Sequence, residues 1–134
     1  MSPRARLIAA TALGLALASA GAALADPSGQ ELFQQNCSAC HQVTGKGIPG
    51  AFPALDGDPF VVQPDPAIVA YTVLHGRGGM PTFAPELTDE QISTILTYVR
   101  SAWSNKAGPV TAALVKSQRT SGAPPKPHIP EQAH

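Results

Sequence analysis

The chain of 134 residues balances nine basic against nine acidic residues, and 43% of it is hydrophobic but only 5% aromatic. That length holds one small domain, and a charge balance with no basic cluster excludes a nucleic-acid partner. So small a core is marginal alone, so a buried cofactor would supply apolar contact that the side chains lack.

At the N-terminus Arg4 and Arg6 precede an uncharged run rich in Ala and Leu over residues 7–24, closed by Ala23-Leu24-Ala25. This order of basic, apolar and small residues predicts a secretory signal peptide over residues 1–25, cleaved after Ala25. Gly14, Ser19 and Gly21 interrupt the run, whose strongly apolar part falls short of the ~20 residues of a membrane span. No transmembrane anchor is expected after cleavage. Loss of Arg4 and Arg6 leaves seven basic against nine acidic residues on a mature chain of 109, a net charge of −2.

Ser28 and Glu31 have capping-box spacing, and Leu32 and Phe33 give the next turn an apolar patch, so a short helix is expected over residues 30–36, running into two cysteines. Residues 45–64 hold four glycines and four prolines with little periodicity, which predicts a long loop wrapped over something. Asp65-Pro66 then supplies an N-cap and a first-turn proline for a middle helix carrying Ile68, Val69, Thr72 and Val73 and ended by Gly76.

The last helix is the most strongly marked. Thr88 and Gln91 form a second capping box, Leu87 and Ile92 are placed as a hydrophobic staple, and Ile92, Ile95, Leu96, Val99 and Trp103 recur on one face from residue 89 to about 104. No alternating strand pattern occurs, so the expected fold is all-α, with three main helices and long loops. Beyond Asn105 the periodicity fades to a weak apolar patch at residues 110–115, and four prolines crowd residues 123–130. Residues 107–134 are therefore expected to form a mostly disordered tail.

The only cysteines, Cys37 and Cys40, are followed at once by His41, giving Cys-Ser-Ala-Cys-His, the attachment signature of haem c. Two thiols at this spacing can add across two vinyl groups on one haem edge while the adjacent imidazole reaches the iron. A thioredoxin-type dithiol would want a βαβ setting, and a structural zinc site would need four ligands.

For the remaining axial position the mature chain offers a single methionine, Met80, in Gly76-Arg77-Gly78-Gly79-Met80-Pro81. A lone methionine is often core filler. Here the glycines allow close backbone approach, and Pro81 and Pro85 fix the path of the loop. His75 is the rival ligand, although a histidine in a last helical turn is also explained by the helix dipole. Arg77 is placed either to meet a haem propionate or to stay hydrated. An iron with both axial positions filled has no open site for substrate, so the expected function is single-electron transfer and not catalysis. A haem-based sensor or peroxidase, in which Met80 leaves the iron, is the alternative.

Cys37, Cys40 and His41 after a short helix, Pro53-Ala54-Leu55 further on, Met80-Pro81 in a glycine loop and a capped terminal helix together resemble a class I c-type cytochrome over residues 26–106. Within that class, residues 73–83 and 89–103 are similar to small cytochromes that accompany bacterial periplasmic dehydrogenases. The resemblance implies a cytochrome c-like fold around one covalent haem c per chain, held in a pocket with Pro53 and Leu55. In that pattern the Pro53 carbonyl would accept the second ring N–H of His41, Leu55 would pack on the haem, and Gly29 and Phe33 would cross the last helix near Tyr98. It also implies a periplasmic location, a redox donor and acceptor such as a dehydrogenase and a terminal oxidase, and His41 and Met80 as axial ligands. The chain departs from some relatives in lacking a tryptophan for a propionate before the middle helix.

Overall fold

The computed structural model describes residues 25–126. The expected signal peptide falls almost wholly outside them, as do His128 and His134. Among the described residues six helices follow in order: α1 Gly29–Asn36, α2 Ser38–His41, α3 Pro59–Val62, α4 Ala67–His75, α5 Asp89–Ser101 and α6 Ala112–Arg119. Among the described residues there is no strand, only isolated bridges between Ile48 and Phe52 and between Arg77 and Met80.

Both capping boxes form. The Glu31 carboxylate accepts from the Ser28 backbone N–H at 2.7 Å while the Ser28 hydroxyl accepts from Glu31 N–H at 3.3 Å. The backbone bond, and after it a bond that the Ser28 hydroxyl donates to the same carboxylate at 2.8 Å, hold the Glu31 carboxyl below its usual range. Thr88 and Gln91 repeat the pattern at 3.0 and 3.2 Å. With orphan N–H groups satisfied at each start, α1 and α5 are defined locally before they pack.

α1 and α5 cross at Gly29. A Cβ there would lie 2.5 Å from the Thr94 carbonyl oxygen and 2.7 Å from the Tyr98 Cβ, so only glycine permits this approach. Phe33, 1% exposed, fills the crossing, its ring 5.7 Å from Tyr98 and 5.5 Å from Trp103. Leu32, Ala70, Leu74, Ile92, Ile95, Leu96 and Val99 extend the core around it. Gly29→Ala provides a sign test. Elsewhere in a helix the exchange gains about 0.5–1 kcal/mol, whereas here forced separation of the helices should cost about 1–3 kcal/mol, read as a lower Tm.

Three expectations need correction. The helix expected to be last, α5, ends at Ser101 rather than near residue 104, because Asn105 folds back and donates to the Val99 carbonyl at 2.7 Å and the Leu55 carbonyl at 3.0 Å. Trp103, at φ +53°, leaves the helical path and lays its ring over Gly45. The glycine- and proline-rich loop contains one helical turn, α3, started by the Asp58 side chain accepting from Phe60 N–H at 2.8 Å.

The third concerns the tail. Residues 112–119 are not disordered: Thr111 caps α6 by accepting from Leu114 N–H at 3.2 Å, and Val115 is fully buried against the core formed by α4 and α5. The weak apolar patch at residues 110–115 was the visible part of this helix, and its order comes from docking rather than from local periodicity. The middle helix starts one residue later than expected, yet Asp65 still accepts from Ala67 N–H at 2.9 Å.

Candidate functional site

Cys37 closes α1 and opens α2. Its N–H donates to the Phe33 carbonyl at 2.8 Å, and its own carbonyl accepts from Cys40 N–H at 3.2 Å and His41 N–H at 3.0 Å. One helical turn thus carries Cys37, Cys40 and His41 together, so the chemistry of the motif is placed by its own backbone. Both thiols are free. Burial, and then the neighbouring Cys40, push the Cys37 thiol up to about 11. Among the described residues no strand flanks the pair, so the βαβ setting of a thioredoxin-type dithiol is not found there. Among the described residues no three His, Cys, Asp or Glu side chains assemble as metal ligands, so no four-ligand zinc site forms.

His41 Nδ1 lies 2.9 Å from the carbonyl oxygen of Pro53. A carbonyl only accepts, so this contact puts the proton on Nδ1 and leaves the Nε2 lone pair for a metal. The loop holds that carbonyl in place. Gly47 donates to the His41 carbonyl at 2.9 Å, Ile48 and Phe52 exchange backbone bonds at 2.9 and 2.8 Å, and Leu55 N–H returns to the Gly45 carbonyl at 2.7 Å. Gly47, at φ +61°, packs so closely that a Cβ would fall 2.5 Å from the Pro53 oxygen. Leu55 packs against the core.

Met80 sits at the end of a tight turn. Arg77 and Met80 exchange backbone bonds at 3.2 and 2.9 Å, with Gly78 at φ +56° between them. The chain after it is stitched to α4: Phe83 N–H donates to the Val73 carbonyl at 3.0 Å, Ala84 N–H to the Leu74 carbonyl at 3.3 Å, and the Thr82 hydroxyl to the same Leu74 carbonyl. Met80 therefore belongs to a braced loop and is half-buried.

His75 is engaged elsewhere. Its Nε2 lies 3.1 Å from the Gln118 carbonyl in α6, and its ring stacks 4.1 Å from Tyr71. Arg77 places its guanidinium 5.0 Å above the Phe60 ring.

These groups fit a haem. Two free thiols, an imidazole with a vacant Nε2 and a thioether are the donors it requires. Leu55, Phe60, Ile68, Val73 and Phe83 pack on the core yet remain partly exposed, and Val43, Ile48 and Phe52 are exposed, apolar surface of the kind a flat apolar ring would cover.

A family model described as cytochrome c oxidase, cbb3-type, subunit III, matches residues 25–99. Cytochrome c-552 of Thermus thermophilus is 32% identical over 132 residues, covering 84% of this chain and 88% of the relative. The chain belongs to the cytochrome c family. Cytochrome c6 of Thermosynechococcus vestitus is 37% identical over 97 residues, with 69% of this chain and 85% of the relative covered. The cytochrome c subunit of the quinone-dependent alcohol dehydrogenase of Gluconobacter oxydans is 33% identical over 109 residues, 72% of this chain but only 23% of the relative. The chain thus spans about a quarter of the length of that subunit. The solved KustC0563 c-type cytochrome superposes with a TM-score of 0.50 at 22% identity, covering 60% of this chain and 100% of the other, a likeness of fold.

This cytochrome is accordingly a haem c protein. Among the described residues no helix is long and apolar enough to cross a membrane. Sequence reasoning missed three residues that shape the site: Arg100, Asn105 and Arg119. Arg100 left a trace, since it lies four positions after Leu96 on the apolar stripe of α5, where a charge is out of place.

Proposed function

We propose that this cytochrome is a periplasmic single-electron carrier in which thioethers from Cys37 and Cys40 hold one haem c and His41 Nε2 and Met80 Sδ are its axial ligands. The observation that carries the reading is the 2.9 Å contact of His41 Nδ1 with the Pro53 carbonyl, which fixes the tautomer, orients the ring and increases its donor strength. The haem supplies the one-electron couple. The chain's residues retain it, set its potential through the thioether and exclude water with Leu55 and its apolar neighbours. Likeness to dehydrogenase cytochrome subunits supports a dehydrogenase as donor, and a terminal oxidase is the acceptor proposed beside it.

The test is the spectrum of the purified holoprotein, oxidised and reduced, followed by denaturation in alkaline pyridine. One haem that stays with the denatured chain, together with a sulfur-to-iron charge-transfer band in the oxidised protein, is the expected result. Replacing both Cys37 and Cys40 by Ala should let the haem be extracted. Haem that is lost from the unaltered chain on denaturation would overturn the attachment, and a missing band would remove Met80 from the iron.

A further inference from the structure

The segment between α4 and α5 carries Met80, and α6 grips it at both ends through two consecutive residues. At the near end His75, the last residue of α4, donates from Nε2 to the Gln118 carbonyl at 3.1 Å. At the far end Arg119 donates from Nη1 to the Ala84 carbonyl at 2.6 Å, from Nη2 to the Leu87 carbonyl at 2.9 Å and from Nε to Asp89 Oδ1 at 2.7 Å. Asp89 is the first residue of α5, so one guanidinium ties the end of the Met80 loop to the helix that follows it. Charge-assisted bonds from a planar fork fix position as well as energy.

α6 can serve as an anchor because it is itself held. Val115 is fully buried, and the Thr97 hydroxyl both donates to the Val110 carbonyl at 3.2 Å and accepts from Val110 N–H at 3.0 Å. The helix lies beyond residues 25–99, the part matched by the family model, so the grip is an addition to that pattern.

We infer that α6 is a clamp on the sixth-ligand loop and that Arg119 is the positioning residue that keeps Met80 on the iron against competing ligands. The inference rests on Met80 being that ligand. For an external ligand to take its place the loop must swing away, and the His75 and Arg119 bonds must yield. Apparent affinity for such a ligand scales with the fraction of open loop, so weakening the clamp raises it.

The experiment is an imidazole titration of the oxidised holoprotein, following loss of the sulfur-to-iron band. Arg119→Ala should bind imidazole about tenfold more tightly, and Arg119→Lys, which keeps the charge but not the fork, should fall between it and the unaltered protein. Ser28→Ala, which weakens the distant α1 cap, is the control and should leave the affinity unchanged. Unaltered affinity in Arg119→Ala would overturn the clamp, as would an equal rise in Ser28→Ala, which would assign the effect to general loosening. Absence of the band from the unaltered protein would overturn the Met80 assignment, and the clamp with it, before any variant is compared.

Discussion

Met80→Ala should abolish the sulfur-to-iron charge-transfer band of the oxidised protein, lower the midpoint potential and let carbon monoxide bind the reduced iron. A thioether gives little charge to iron and so favours the reduced state, and its loss to water or a nitrogen ligand removes that bias. Axial ligand choice moves haem potentials over about 0.8 V, so a fall on the order of 0.1 V is a modest part of the available range. The counterpart is His75→Ala. Because His75 Nε2 is committed to the Gln118 carbonyl and its ring to Tyr71, that exchange should leave the band in place. A band and potential unchanged by Met80→Ala would take Met80 off the iron, whereas a band lost in His75→Ala would show that the His75 bond to Gln118 is needed to hold Met80 there. Ready binding of carbon monoxide by the unaltered protein would favour a sensor or peroxidase over a shuttle.

Local chemistry was the legible part of this molecule. The boxes Ser28–Glu31 and Thr88–Gln91 satisfy backbone donors within four residues, so their sequence spacing and their hydrogen bonds are the same fact. Cys37, Cys40 and His41 share one turn for the same reason. The contact of Pro53 with His41 spans twelve residues and was reached through resemblance, since nothing in the loop composition points at that carbonyl. The docking of α6, the back-folding of Asn105 and the partners of Arg100 were not legible because each depends on groups far along the chain. Val115 is buried only once α4 and α5 are assembled. Gly57 N–H donates to Asn105 Oδ1 at 2.8 Å across 48 positions. Ser104 similarly bonds Asp56 through its N–H at 3.0 Å and its hydroxyl, which hold that carboxyl below its usual range. Such contacts are consequences of the fold and have no local signature.

Arg100→Ala should be among the most destabilising single changes in the chain. The side chain is 2% exposed and donates from Nη1 to the carbonyls of Val61 at 2.6 Å and Gln63 at 3.0 Å, and from Nε to that of Gly108 at 2.9 Å. Burial lowers the hold of the guanidinium on its proton, and the charge of Asp65 partly offsets this. Its partners explain why the arrangement persists. Val61 lies in the last turn of α3 and Gln63 is its C-cap, and a helix of four residues cannot bond its own last carbonyls. Gly108 begins the approach to α6. Arg100 therefore joins the loop that carries Phe60, on which Arg77 lies, to the run leading into the clamp helix. Its removal takes away three hydrogen bonds, each worth about 1–3 kcal/mol. Because these losses are not additive, the expected cost is about 3–5 kcal/mol. For a domain of this size that is a fall in Tm of roughly 15–30 °C, measured on the holoprotein. Arg100→Lys, which reaches fewer of the three carbonyls, should lie between. A loss under about 1 kcal/mol in Arg100→Ala would mean that water replaces the guanidinium at all three acceptors, and α3 would then owe its position to Val61 and its apolar neighbours instead.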